Sequence, residues 1–466
     1  MKTRLLRTSL LVLAAALIAP AGALAKSLHP TLIASKTSPG FVPAGFARTA
    51  DGTLHMVYET NLNWGNSANG VGAVSISPSG HVGPQVQALS WGNQSGGAPN
   101  GVPGLAVLPG GTLEAVFGGS PSSDDGPWGI SSTDGGSSWS APADIGSGSM
   151  EFGDSALTLQ VSQGTPVFTA GCCGGIVIQN GFGTGSPTYL LTNNSDNAAG
   201  NVDSAVDAAT GADVASWDSN AGQGGLWLQQ VAPSTGGAEK APIPAQYGTG
   251  VPLIIAGRDA GPGVFAAYPA NWGNPTTHIR LLRYGSGSVA VGTVKGLFAT
   301  RWGVATGSDG RIWVFWYGQI NGKGIIAVTR SNNAVTRFEP IQQYHYDWNF
   351  LNALQGDGRL GPLDLLLTGS PLGASTTSGI YTARVRPQLS ASVAVEQLSK
   401  HEFKLKVHVT DAGDPVSGAT ASALGQTKTT SAKGKAKLKV TGSSGQGATV
   451  AISAPGYNGA KVPITL

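Results

Sequence analysis

The stretch Gly126–Ile145, GPWGISSTDGGSSWSAPADI, decides how the rest of the chain is read. Two strand-like runs, Trp128–Ser131 and Trp139–Ala143, flank a turn holding Asp134 and Gly136. Glycine supplies the positive φ such a turn needs, and an aspartate carboxylate can accept hydrogen bonds from the turn's amides. Ser132, Asp134, Gly136 and Trp139 stand in the spacing Ser-x-Asp-x-Gly-x-x-Trp. The tryptophan is a broad apolar plate able to pin the turn onto a neighbouring sheet. The stretch predicts an outer β-hairpin with a structural role.

The same grammar recurs along the chain. Gly45–Thr60 gives an apolar strand, a turn at Asp51-Gly52 and a second apolar strand. Later copies turn at Gly110-Gly111, Gly164, Gly211, Gly261–Gly263, Asp309-Gly310 and Asp357-Gly358, and each is followed by a weaker strand pair. Seven copies at roughly 50-residue spacing predict a seven-bladed β-propeller with four-stranded blades. The seventh unit lacks an obvious fourth strand, so Thr31–Ala34 is expected to supply it and close the ring. Composition agrees: 70 Gly, 28 Pro and only 11% charged residues suit short strands and turns and exclude a helical protein. The 11 Trp, 10 Tyr and 12 Phe, spread along the chain, exclude disorder.

Residues 1–25 read as a secretory signal: Lys2, Arg4 and Arg7, an apolar run Leu10–Ala19, and Ala23-Leu24-Ala25 before Lys26. The mature protein, without a membrane span, is expected to be a monomer, secreted or at the cell surface. Its charge is uneven. Residues 387–466 carry nine Lys against Glu396, Glu402, Asp411 and Asp414, which leaves residues 26–386 acidic. With no basic cluster on 26–386, nucleic acid is excluded as a partner.

The motif in Gly126–Ile145 resembles the Asp-box, or BNR repeat, of sialidase-like β-propellers, and that family implies six blades as the alternative count. It also implies glycan chemistry, with an exo-glycosidase of sialidase-like type as the enzyme reading. Sialidases use a tyrosine nucleophile, acidic residues and an arginine triad. The chain departs from this: it has no Arg-Ile-Pro motif near the mature N-terminus, and arginine is scarce on the expected face. Residues 387–466, including 409–423, 427–440 and 449–466, resemble carboxypeptidase-regulatory-like, Ig-type β-sandwich modules, which implies a spacer or adhesive role. The expected division is therefore 1–25, 26–386 and 387–466.

A propeller gathers the ends of its inner strands, so loops leaving second strands and entering first strands should meet on one face. Candidate catalytic groups there are Glu59, Asp218, Arg301, Tyr317 and Asp347, with Glu151, Asp154 and Asp203 as further carboxylates. Glycoside hydrolysis would need two such acids paired. Candidate ligand-stacking residues are Trp64, Trp217, Tyr268, Trp272, Trp302 and Trp348. Asn-Trp-Gly-Asn occurs at both 63–66 and 271–274, a tryptophan flanked by amides that suits a sugar ring; the rival reading is a wedge between blades. Cys172-Cys173 can close a vicinal disulfide in an exported protein, or stay as thiols or cross-link chains. No metal or cofactor signature is present. The expected function is glycan recognition, with hydrolysis and a protein-interaction scaffold as alternatives.

Overall fold

The computed structural model describes residues 26–35, 44–60, 70–90, 103–119, 126–145, 157–172, 175–182, 188–190, 200–219, 225–240, 254–271, 274–372 and 379–466. The expected signal segment, Trp64, Trp272, Cys173, Glu151 and Asp154 lie outside them. Among the described residues the chain is all-β, with Ser308–Gly310 the only helical turn. Strands Gly45–Arg48, Leu54–Thr60, Gly70–Ile76 and Val86–Ser90 pair antiparallel in sequence order as the first sheet. Six more sheets follow, their first strands at Gly104–Val107, Leu157–Ser162, Gly200–Val206, Ile255–Gly257, Phe298–Thr306 and Trp348–Asp357. Each turn expected from the sequence joins the first strand of its sheet to the second. Gly52 (φ 87°) and Gly164 (φ 83°) occupy the left-handed region that explains glycine there.

The seventh sheet takes its fourth strand from the far end of the chain: Thr31–Ser35 pairs antiparallel with Gly379–Val385. Lys26–Ser27 adds a parallel strand to the edge of the sixth sheet at Gln342–His345. Two residues carry no periodicity, so the sequence reading has no counterpart for this pair.

Each sheet packs its face on the next. Val57 meets Leu105, Leu113 and Phe117 between the first and second sheets. Val116 meets Leu157 and Phe168 between the second and third. The succession returns to its start, where Leu54, Met56 and Tyr58 of the first sheet pack on Leu366, Ile380 and Ile33 of the seventh. Arg48 crosses the same seam to Asp357 (2.6 Å) and Asp364 (2.9 Å), all three side chains buried. Close approach at the centre explains small residues: a Cβ on Gly257 would stand 1.9 Å from the Val206 carbonyl oxygen of the neighbouring sheet. The result is a propeller-like all-β ring.

Within Gly126–Ile145 the first run is a strand, Gly126–Ser132, but the second shortens to Ala143–Asp144. The intervening turn is held by Asp134, which accepts the Ser138 amide (2.9 Å) and the hydroxyls of Ser138 (2.5 Å) and Ser132 (2.8 Å). Those bonds hold its carboxyl down at about 2. Trp139 donates to the Gly136 carbonyl (3.2 Å) and packs on the cluster around Leu113.

Residues 390–466 form two small sheets, Ser390–Gln397 with Glu402–Asp411 and Lys435–Thr441, and Thr420–Ala423 with Gln426–Thr429, Gly447–Ser453 and Ala460–Thr465. Phe403, Leu405, Val407, Leu438 and Ile452 fill the space between them. This unit is fastened to the sixth sheet: the buried Arg330 guanidinium pairs with the buried Asp411 and lies over Trp313 (5.2 Å) and Tyr457 (5.6 Å). Arg311 reaches Asp414 at 2.8 Å. Buried charge thus forms the junction between this unit and the sixth sheet.

Candidate functional site

A cavity of about 320 Å3 runs along the centre of the ring, and the first strands of all seven sheets line it. Its size is at the lower end for small-molecule pockets. Its lining carries the polar side chains Thr158, Gln160, Asp203, Ser204, Thr306, Gln355 and Asp357; Thr158 bonds the Ser204 hydroxyl (2.6 Å), and Gln160 and Thr306 donate to the carbonyls of Ser204 (2.9 Å) and Gly257 (2.7 Å). Arg48, Arg258 and Arg359 border it at the end where first strands turn into second strands. Arg48 is held by carboxylates, and Arg258 donates to the carbonyls of Gly310 (2.7 Å) and Pro262 (3.3 Å). Both are thereby tied into the wall.

Asp203 accepts hydrogen bonds from the amides of Ile255 (2.8 Å) and Ser204 (2.9 Å). Burial outweighs these bonds and pushes its carboxyl up to about 7, so near neutral pH it can donate as an acid or accept as a carboxylate. Gln355 is buried, and its side-chain carbonyl oxygen has no protein partner. A buried orphan acceptor is costly unless something supplies a donor. The sequence signal for these positions is a polar residue inside an otherwise apolar first strand.

The first strands of the sixth and seventh sheets are the longest, nine and ten residues, and continue past the cavity wall. Three of the five expected catalytic residues fall at this seam: Arg301 on the sixth sheet's first strand, Tyr317 on its second, and Asp347 just before the seventh sheet's first strand. Arg301 and Tyr317 are cross-strand partners, and the Arg301 Nε donates to the Asn352 carbonyl (2.6 Å). Asp347 accepts the Gly324 amide (2.8 Å), and the Tyr317 hydroxyl stands 2.9 Å from where a Gly324 Cβ would be. His345 Nε2 is 3.3 Å from the second Asp347 oxygen. Burial, with the Asp347 charge adding to it, raises the Tyr317 pKa. The phenol is therefore held neutral, a hydrogen-bond donor beside an acceptor rather than an ionised nucleophile.

The other expected residues are apart from this seam. Glu59 is buried and, two residues beyond Val57 on the same strand, faces the second sheet. Asp203 faces the fifth sheet, while Asp218 lies in the strand Asp213–Ser219 of the fourth. Glu59, Asp203 and Asp347 thus occupy three different seams, not one pair. Trp217, Tyr268, Trp302 and Trp348 are buried in the packing between sheets. Trp217 stacks on Trp227 at 6.4 Å, and Trp348 meets the rings of Tyr346 (5.2 Å) and Tyr381 (5.4 Å). These four act as wedges, because strand parity turns them from the axis into the seams. Cys172 ends the strand Thr165–Cys172, and its neighbour lies outside the described residues. Among the described residues no cluster of three metal-ligating side chains occurs, and no helix is long and apolar enough to cross a membrane.

No family model matches the chain, and no curated protein does. Among solved structures it is similar to the polysaccharide lyase Uly1, at 9% identity over 79% of this chain and 94% of that one, with a TM-score of 0.44. It is also similar to Penicillium chrysogenum alpha-L-arabinanase complexed with arabinobiose, at 13% identity, 77% and 98% coverage and a TM-score of 0.41. A third is AztD from Citrobacter koseri, at 10% identity, 90% and 89% coverage and a TM-score of 0.35. Likenesses this distant carry no inference about ligand or mechanism.

Proposed function

We propose that the chain is an exported, seven-bladed β-propeller with an Asp-box hairpin and an Ig-like module, and that its axis recognises glycan outside the cell. The observation that supports the reading is the cavity shared by all seven first strands, with Gln355 and Asp203 among the residues that line it. Neutral amides, hydroxyls and one carboxyl able to donate or accept match the hydroxyls of a sugar. The repeated Asn-Trp-Gly-Asn sequences at 63–66 and 271–274 add, as a sequence feature, tryptophans able to stack on a sugar ring.

The test is a glycan array followed by calorimetry of any hit. Gln355→Leu removes a buried orphan acceptor, so it should leave the melting temperature unchanged or raised while weakening sugar binding at least tenfold. Equal binding by Gln355→Leu and Asp203→Asn would exclude the cavity as the site. Trp64→Ala and Trp272→Ala should weaken binding at unchanged stability.

A second reading, a sialidase-like glycoside hydrolase, is favoured by the grouping of Arg301, Tyr317 and Asp347. It predicts turnover of chromogenic glycosides that is lost in Asp347→Asn. The neutral tyrosine and the dispersed carboxylates favour binding over hydrolysis. A protein-interaction scaffold would show neither sugar binding nor turnover.

A further inference from the structure

The outer face of the sheet built from Ser390–Gln397, Glu402–Asp411 and Lys435–Thr441 carries a lysine ladder. In register, Lys404 stands opposite Lys439, Lys406 opposite Lys437 and His408 opposite Lys435. The inward residues of the same strands, Phe403, Leu405, Val407, Ala436, Leu438 and Val440, are buried, so the cations all project to one side. Across the ladder lie the small outward residues Ser392 and Ala394 and a single acid, Glu396. Glu396 contacts Lys406 (2.9 Å) and Lys404 (3.4 Å), which lowers its pKa.

Like charges directly opposite in a sheet are destabilising. Lysine on an edge strand has a structural use in blocking edge-to-edge pairing, which accounts for Lys435, Lys437 and Lys439 on the edge strand Lys435–Thr441; Lys404 and Lys406 stand on Glu402–Asp411, which is paired on both sides and needs no such guard. Solubility would be served by interspersed signs. The sequence does the reverse. Residues 387–466 contain nine Lys, no Arg and four acids, and two of the acids, Asp411 and Asp414, are turned to Arg330 and Arg311 at the junction. The junction thus withdraws negative charge from the unit and leaves the ladder facing solvent, with Glu396 in contact with it and Glu402 on the same face two residues before Lys404.

We propose that this face binds a linear acidic polysaccharide, its carboxylates lying along the ladder. The lysine-bearing positions are spaced about 4.8 Å across the strands and about 6.8 Å along them, and their flexible stems let the ammonium groups follow a chain of regularly spaced charges. Lysine ammonium groups act as point charges for single carboxylates, whereas bidentate phosphate recognition draws on arginine, which the unit lacks. The small residues beside the ladder leave a flat floor for an extended chain. This site is distinct from the axial cavity and stands whether or not the cavity binds sugar.

The test uses the full chain and immobilised polygalacturonate, with dextran as the neutral control, between about 50 and about 200 mM salt. Retention on polygalacturonate alone, weakening as salt rises, is expected. The triple variant Lys406→Gln/Lys437→Gln/Lys439→Gln should bind at least tenfold more weakly, with a shallower salt dependence and a melting temperature no lower than the parent. Glu396→Gln should bind more tightly, and Lys461→Gln, on the other small sheet, should bind as the parent. Absence of retention, equal binding by the triple variant, or a fall in its melting temperature would overturn the proposal. Tighter binding to duplex DNA or to anionic vesicles at the same salt would overturn it too.

Discussion

Replacing Arg48 by methionine tests whether the ring is held shut where its two ends meet. Arg48 binds Asp357 and Asp364 across the seam and donates to the Gly52 carbonyl (2.7 Å), with its own side chain 4% exposed and both acids 2%. Hydrogen bonds to charged groups contribute about 1.5–3 kcal/mol each. Breaking a buried pair by removing one partner costs about 3–5 kcal/mol. Neither acid is left alone here, since Asp357 keeps Arg359 at 3.1 Å and Asp364 keeps Arg384 at 2.7 Å. The expected loss is therefore at the lower end, about 3 kcal/mol. All 11 tryptophans precede residue 349, so tryptophan fluorescence during guanidinium unfolding reports on the ring and not on the C-terminal unit. Arg48→Lys, which keeps the charge but loses the planar fork, should fall between parent and Arg48→Met. A loss under about 1 kcal/mol at unchanged denaturant slope, the size expected of a surface pair, would refute closure by this contact.

Three further outcomes are expected. Asp411→Ala strands Arg330 in a buried junction while Arg311 keeps Asp414; a cost of about 3–5 kcal/mol and a separate calorimetric transition for residues 390–466 should appear, and an unchanged single melt would refute the lock. Glu339 is held up at about 8 by burial, and Asp203 and Glu114 at about 7, so the folded chain keeps protons that the unfolded chain releases near pH 4 to 5. Their stabilisation is complete below that range and lost as pH rises through about 7 to 8, whereas Asp51, held at about 2, contributes evenly throughout. The melting temperature should therefore drop between about pH 5 and about pH 8, and Glu339→Gln should shrink the drop. Gly136→Ala places a Cβ at φ 85°, and about 1–2 kcal/mol should be lost in thermal melts although no atom blocks the added methyl.

The ring's strand plan was legible because each unit repeats a local signal: apolar runs broken by glycine where φ is positive. Even the long-range pairing of Thr31–Ser35 with Gly379–Val385 followed from a missing fourth strand. The site was read less well. Loop position groups residues by neighbourhood, but whether a side chain meets the axis or a seam depends on strand parity, which bulges reset. The shift between Ala299 and Arg301 is one such case; Trp302 is buried in the seam on the fifth-sheet side while Arg301 turns towards the seventh. Gln160 and Gln355 drew no notice, because single polar residues in apolar strands look unremarkable until seven strands converge on them. The salt link between Arg330 and Asp411 joins residues with no sequence pattern in common.

The pairing of Thr31–Ser35 with Gly379–Val385 also sets an order of assembly. The clasp is made from one of the earliest segments of the ring and one of its latest, so it cannot fasten until nearly the whole circle has been synthesised. Until then Leu365, Leu366 and Leu367 of the adjoining strand lack their outer cover. A fragment ending before Gly379 is therefore expected to seek a replacement strand from another molecule, making truncation a route to aggregation rather than to a smaller stable ring.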